Sequence, residues 1–234
     1  MAALDPYWAI LTEAGTKHGG WKLEEFLATG EVEIDDVLAA AADFGLPEQM
    51  DQALDFGCGV GRLTRAMASR FRSVVGIDIS TEMLRQASAL NHCPNCTFAN
   101  VTSDVLPFLD GTFDFVYTAI VLQHVTSRQL ISAYLRQFAR VLRRHGLLVM
   151  QLPSYIPLRR RVQARRRLYA CLRAAGIPEK FIYEKLRLHP IPMNFMPEQK
   201  VLDVLTTAGC RVVRVIADRR AGPHIASRTY YATK

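Results

Sequence analysis

Apolar positions along the chain keep two different periods. Short runs bounded by turn residues fall at Gln52–Phe56, Ser73–Asp78, near Thr97–Asn100, at Thr112–Tyr117 and at Gly146–Gln151. Their length is that of buried strands. Between them the spacing turns helical: from about Gly61 to Arg70, behind Ser80, and over roughly Arg128–Leu142. Ser80 reads as an N-cap, with Met83, Leu84, Ala87 and Leu90 as the apolar face behind it. Strand alternating with helix predicts an α/β fold with a largely parallel sheet.

The two ends of the pattern differ from its middle. Residues 1–50 read as helices, one at Trp21–Leu27 and another from Val32 to Phe44 that stops at Gly45 and Pro47. Residues 153–196 are rich in Arg and Pro and break the alternation. It resumes with a helix from Pro197 to Ala208, a stop at Gly209, and strands at Arg211–Ile216 and Arg228–Ala232. The expected organisation is a helical N-terminal cover (1–50), one domain made of 51–152 and 197–234, and a basic inserted lid (153–196) within that domain.

Composition narrows this. Half the residues are hydrophobic and 22% are charged, which excludes wholesale disorder. The net charge of +7 is unevenly spread: −8 over residues 1–50, +3 over 51–152, +8 over 153–190 and +4 over 191–234. The excess is therefore local. Five scattered Cys are the usage of a reduced, intracellular protein. The start, Met-Ala-Ala-Leu-Asp-Pro-Tyr-Trp, lacks the pattern of a signal peptide. No apolar run approaches the roughly 18 residues that span a bilayer. These features predict a soluble cytoplasmic protein.

The sharpest chemical signal is Leu54-Asp55-Phe56-Gly57-Cys58-Gly59-Val60-Gly61-Arg62, between a strand and a helix. Such a turn needs glycines where the backbone bends tightly and lies against a ligand. A dinucleotide fingerprint would place its third glycine on Arg62 or Thr64, so the pyrophosphate reading is weak. Asp78 closes the second strand, where an acid accepts bonds from two ribose hydroxyls. Asp104 follows the third strand, positioned to accept from an adenine amino group or simply to form a turn.

These pieces together resemble a class I S-adenosylmethionine-dependent methyltransferase of the small-molecule branch. The carriers are the loop at 54–62, Val-Gly-Ile-Asp-Ile-Ser at 75–80, Asp104-Val105, Phe-Asp-Phe-Val-Tyr-Thr at 113–118, Val-Leu-Gln-His-Val at 121–125, Gly-Leu-Leu-Val at 146–149, and the helix that opens at Met196-Pro197-Glu198. The resemblance runs from about Asp51 to Gln151 and from Pro197 to the end. It implies a Rossmann-like, doubly wound sheet of seven strands, mostly parallel, with an antiparallel last strand. It also implies S-adenosylmethionine as cofactor. Asp55, Gly57, Cys58 and Gly59 would hold its methionine part, Asp78 its ribose and Ile79 its adenine face. Asp104 and the Val105 N–H would read the adenine edge, and Thr118 would line the sulfonium side. Arg62 would serve its carboxylate on charge grounds. Met83 and Gln123 complete the pocket candidates.

The implied reaction is an in-line displacement at the cofactor methyl, which needs a base only if the acceptor starts protonated. His124, just past the fourth strand, is the candidate base, with pocket closure or helix capping as its plainer role. His189 is a weaker candidate. The text after the fourth strand lacks the Pro-Pro-aromatic pattern of DNA amino-methyltransferases and any Pro-Cys nucleophile. Cys93-Pro94-Asn95-Cys96 is a lone C-x-x-C, so no metal is expected. The Arg-rich run 159–167 leaves three readings open. One is a solvated lid whose charge the acidic N-terminus neutralises, with Tyr7 and Trp8 in the same cover. Another is a site for an anionic acceptor, a small molecule or, less favoured, RNA. The last is a basic helix on an anionic membrane, with Leu158, Val162, Tyr169 and Leu172 as one apolar stripe. The expected partner is a small-molecule substrate. A catalytically silent cofactor-binding sensor and a nicotinamide dehydrogenase are the alternatives from other classes.

Overall fold

The structure is a computed structural model that describes residues 22–188, 191–222 and 224–234. Tyr7, Trp8, Trp21 and His189 lie outside the described residues. Seven strands form one sheet: β1 (Gln52–Phe56), β2 (Ser73–Asp78), β3 (Cys96–Asn100), β4 (Phe113–Thr118), β5 (Leu142–Tyr155), β6 (Arg211–Asp218) and β7 (Ala226–Thr233). Their order is β3-β2-β1-β4-β5-β7-β6. The pairs from β3 to β5 are parallel, and β7 runs antiparallel to both β5 and β6. This is the expected doubly wound sheet. Reversal of strand order at β1 and β4 opens a crevice at their carboxyl ends, where ligands of such sheets bind.

The helices are α1 (Leu23–Ala42), α2 (Arg62–Ala68), α3 (Thr81–Leu90), α4 (Arg128–Val141), α5 (Leu158–Arg161), α6 (Ala164–Ala174), α7 (Glu179–Glu184) and α8 (Glu198–Thr207). Successive strand residues point to opposite faces and meet different helices. Leu54, Val116, Leu148 and Met150 pack under α4 and α8, through Ile131, Leu135, Phe138, Val201 and Leu205. Ala53, Phe115, Tyr117, Leu147 and Val149 pack under α1 and α2, through Ile34, Val37, Ala41, Leu63 and Met67. Ser80 caps α3 as expected, accepting from the Met83 N–H at 3.3 Å.

Three expectations are corrected. The N-terminal segment makes one helix through Gly30 rather than two, because Gly30 packs against α2. A Cβ there would meet the Arg62 carbonyl oxygen at 2.7 Å. That helix lies in the layer over one sheet face. Strand β5 continues past Gln151 because Leu152, Pro153 and Tyr155 pair with β7, so the insertion proper begins after Tyr155. Finally, the proposed apolar stripe of the insertion is broken at Gln163, in the left-handed region at φ +48°. An unbroken helix would stack Arg161 over Arg165 at a repulsive spacing. Instead the Gln163 amide donates to the Met193 carbonyl at 2.8 Å. Leu158 and Val162 are left exposed. Tyr169 and Leu172 join Ile177, Ile182 and Leu188 in a small cluster of their own.

Candidate active site

The loop after β1 turns through left-handed conformations at Gly57 and Gly61, φ +79° and +81°. A Cβ at Gly57 would lie 2.3 Å from Val121, so the turn is pressed against the segment that follows β4. Its N–H groups are spent internally. Those of Gly57 and Cys58 both donate to the Ile77 carbonyl, at 2.8 and 3.0 Å, and that of Gly61 to the Cys58 carbonyl at 2.9 Å. The Gly59 N–H donates to an Asp78 carboxylate oxygen at 2.9 Å. A phosphate-binding turn aims its N–H groups at the ligand. This one has none of those four to give, which matches the weak pyrophosphate reading of the spacing.

Asp78 ties two elements together. Its other oxygen accepts from the Ser80 N–H at 2.8 Å. A carboxylate has about four lone-pair sites, so acceptor capacity remains. Beside it lies a cavity of about 220 Å³. Its apolar walls include Phe56, Ile77, Val101, Val121, Leu130 and Tyr134, and Asp78 and His124 also face it. Gly57 and Ile79 line it too. Ile79 is 71% exposed, an apolar side chain at the rim that a flat ligand would cover.

Other candidates stand behind or beside this cavity. Asp55 is buried under the loop and accepts from the Thr64 hydroxyl at 2.7 Å. Burial pushes its carboxyl up to about 7, against the lowering by Thr64 and Arg62. Burial likewise raises the Cys58 thiol. Met83 is buried under the first turn of α3. Thr118 is buried with its hydroxyl unpartnered among the described residues. Asp104 and Val105 are exposed, and the Val105 N–H donates to the Ser103 hydroxyl at 3.1 Å. Asp104 still acts electrostatically: after burial, its charge helps raise the Tyr134 phenol.

Arg62 is placed differently from its assignment. It is 4% exposed and pairs with Glu33 of α1 at 2.7 Å, with Thr29 as a second acceptor. Its charge is already neutralised, so a ligand carboxylate would have to compete with Glu33. The Glu33 carboxylate also accepts from Tyr117 at 2.5 Å and from Arg220. Burial alone would raise Glu33, but Arg220 and Arg62 hold it below the usual range. Glu31, Glu33 and Asp35 of α1 thus serve Arg62, Arg70 and Arg220 of the sheet domain, whereas the sequence suggested the insertion.

His124 sits on a 3-10 turn, Leu122–His124. Its Nδ1 lies 2.8 Å from the Pro192 carbonyl, which only accepts, so Nδ1 carries the proton. Nε2 then accepts from the Gln123 amide at 3.2 Å. The Asn194 N–H and side chain bond the carbonyls of Gln123 and Val125. The return leg of the insertion is thereby stitched to the cavity wall. Sequence reasoning missed Leu130 and Tyr134, although their i, i+4 spacing on the expected helix marks one stripe. It also missed Ile120. This β-branched residue is held at φ +61°, its N–H bonded to the Gln151 side chain at 3.0 Å. Such strain concentrates at functional sites.

Strand order, glycine loop and acid-tipped β2 give the chain the fold of the class I S-adenosylmethionine-dependent methyltransferases. Residues 54–150 match the methyltransferase domain family. The chain is 38% identical over 104 residues to the demethylmenaquinone methyltransferase of Tropheryma whipplei, covering 43% of this chain and 41% of that one. It is 35% identical over 105 residues to the trans-aconitate 2-methyltransferase of Deinococcus radiodurans, covering 44% and 38%. The chain thus spans about two fifths of the length of the curated relatives it matches. The magnesium protoporphyrin IX methyltransferase of Synechocystis, solved with S-adenosylhomocysteine bound, shares the fold. Its TM-score is 0.60 at 20% identity, covering 97% of this chain and 93% of that one. Among the described residues no helix is long and apolar enough to cross a membrane.

Proposed function

We propose that this protein transfers the methyl group of S-adenosylmethionine to oxygen or nitrogen of a small-molecule acceptor, releasing S-adenosylhomocysteine. The observation that carries the reading is Asp78 at the rim of an apolar cavity, with a glycine turn whose N–H groups are internally bonded. A turn of that kind offers a ligand carbonyl oxygens, which suit an ammonium group. Asp78 keeps lone pairs for two hydroxyls, and Ile79 offers an apolar face to a base. These residues fit the cofactor. The relatives named for methyl transfer to menaquinone-type, trans-aconitate and porphyrin acceptors support a small-molecule substrate.

The cofactor supplies an activated methyl on sulfur. The chain's own work is to orient and to exclude water. Gly57 pressed against Val121 closes the site beside β4, and the insertion's return leg walls it from above. Buried Asp55 contributes negative potential under the loop once ionised. His124 is the candidate base at Nε2. The Gln123 amide on that nitrogen must give way before it takes an acceptor proton, and Nδ1 stays on Pro192. Gln123, Thr118, Met83, Asp104 and Val105 are assigned as supporting residues around the cofactor.

Calorimetry with S-adenosylhomocysteine tests the reading. We expect binding, and for Asp78→Ala a loss of about 30-fold or more, since bonds to a charged acceptor are worth roughly 1.5–3 kcal/mol. Absence of heat with the wild type, or unchanged affinity in the variant, refutes it. His124→Ala should lower kcat about 10²-fold if it is the base. A loss confined to affinity assigns it to closure of the pocket.

A further inference from the structure

Two arginines share one aromatic ring. Arg128 opens α4, between the cavity-lining residues Thr126 and Leu130. Its guanidinium carbon lies 4.2 Å from the centre of the Phe195 ring, and its Nε donates to the Phe195 carbonyl at 3.0 Å. Arg161, from α5 of the insertion, lies 4.5 Å from the same ring centre and 5.3 Å from that of Tyr155. Its Nε donates to the Ile156 carbonyl at 2.7 Å. Each side chain is therefore pinned through Nε and an aromatic face. The paired terminal nitrogens of both are left without a partner among the described residues.

Neither arginine has a carboxylate partner among the described residues, although eight arginines outside the insertion do. Two like charges gathered at one ring repel, and among the described residues no carboxylate pairs with either. An unused guanidinium fork matches the two oxygens of a carboxylate or phosphate. Because the side chains are already held, little rotamer freedom is lost when an anion arrives. The surroundings are apolar: Leu158 and Val162 beside Arg161 are 71% and 49% exposed, and the cavity wall is apolar as well.

We infer that Arg128 and Arg161, clasped on Phe195, form an oxyanion subsite for an amphipathic ligand, an apolar body bearing a carboxylate or phosphate. This rests on the reading of the cavity as a methyl-transfer site and gives its acceptor a class. The anion belongs either to a soluble acceptor or to a lipid headgroup, since the recognition chemistry is the same.

Octyl phosphate below its micellar concentration is the probe, with octanol as its neutral counterpart and calorimetry in the presence of S-adenosylhomocysteine as the readout. We expect octyl phosphate to bind at least tenfold more tightly than octanol. Arg128→Gln and Arg161→Gln should each reduce its affinity about tenfold and leave that of S-adenosylhomocysteine unchanged. Phe195→Leu keeps both charges but frees the side chains, and should also weaken the probe severalfold. Equal binding of octyl phosphate and octanol, or wild-type affinity in both arginine variants, overturns the subsite. Co-sedimentation with phosphatidylglycerol vesicles that is lost in the same variants assigns the anion to a lipid. Binding of octyl phosphate without vesicle binding assigns it to a soluble acceptor. If S-adenosylhomocysteine fails to bind while octyl phosphate does, the methyl-transfer reading falls and the subsite stands.

Discussion

The arginines of the sheet domain and those of the insertion live under opposite rules. In the domain, Arg62 and Arg220 converge on one buried Glu33, Arg70 bridges Glu31 and Asp35, and Arg143 meets buried Asp114. In the insertion, Arg159, Arg161, Arg165, Arg167, Arg173 and Arg187 have no ion pair among the described residues, and Arg165 and Arg173 donate to backbone carbonyls instead. The first set is neutralised by the fold. Among the described residues the second set is not. The same residue type thus acts as internal fastening in one region and as outward-facing potential in the other, and the local supply of acids decides which.

The comparison breaks most visibly at Glu33. Glu33→Ala would leave Arg62, 4% exposed, and Arg220 facing each other with only Tyr117 and Thr29 between them. Removing one partner of a buried pair costs roughly 3–5 kcal/mol. With two cations stranded we expect about 5 kcal/mol, read as a fall in the urea midpoint. A loss below about 1 kcal/mol would mean the cluster is solvated and the contrast with the insertion is false.

Asp55 sharpens the same point, because it is a buried acid that no cation pairs with among the described residues. Its carboxyl titrates near 7 in the fold against an ordinary value of 3.8. The native state therefore binds the extra proton between those values. Stability contributed by the neutral carboxyl is complete below about pH 4 and declines as pH rises through 7. Each pH unit in that window is worth about 1.4 kcal/mol, so the full decline is about 4 kcal/mol. Asp55→Asn should flatten that part of the profile and be the more stable protein at pH 8. Glu33, held low, acts with the opposite sign, so its contribution disappears as pH falls through its folded value. An unchanged slope in Asp55→Asn would move the titration to another group.

These two sites show what a sequence can carry. The glycine turn, Asp78 and Ser80 were legible because local geometry fixes them: left-handed turns want glycine, and a helix start wants a hydroxyl. Strands β1 and β2 were legible to the residue, since each is a short apolar core bounded by polar residues and turn glycines. The Arg62–Glu33 pair was not legible, because Glu33 lies 29 residues upstream on a helix that the sequence pattern splits into two. Gly30 permits a close crossing of two helices, a tertiary fact with no local signature. Phe195 between two arginines is likewise invisible in one dimension, as Arg128 and Phe195 are 67 residues apart. The basic run was visible, but its helix was drawn too long because hydrophobic spacing alone takes no account of charge repulsion.

The smallest expected effect lies in the insertion itself. The side chains of Arg159 and Arg167 are exposed and make no hydrogen bond or ion pair among the described residues. Surface substitutions away from caps, cavities and networks stay within about 0.5 kcal/mol, so Arg159→Gln with Arg167→Gln should leave the urea midpoint almost where it was. The sign is nevertheless defined. Removing two like charges from an unneutralised cluster relieves repulsion, so the double variant should be a few tenths of a kcal/mol more stable at 10 mM salt, where screening extends to about 30 Å. At 1 M salt the screening length is about 3 Å and the gain should vanish. A clear destabilisation at low salt would show that these side chains have internal anionic partners after all, and the insertion would then follow the same rule as the sheet domain.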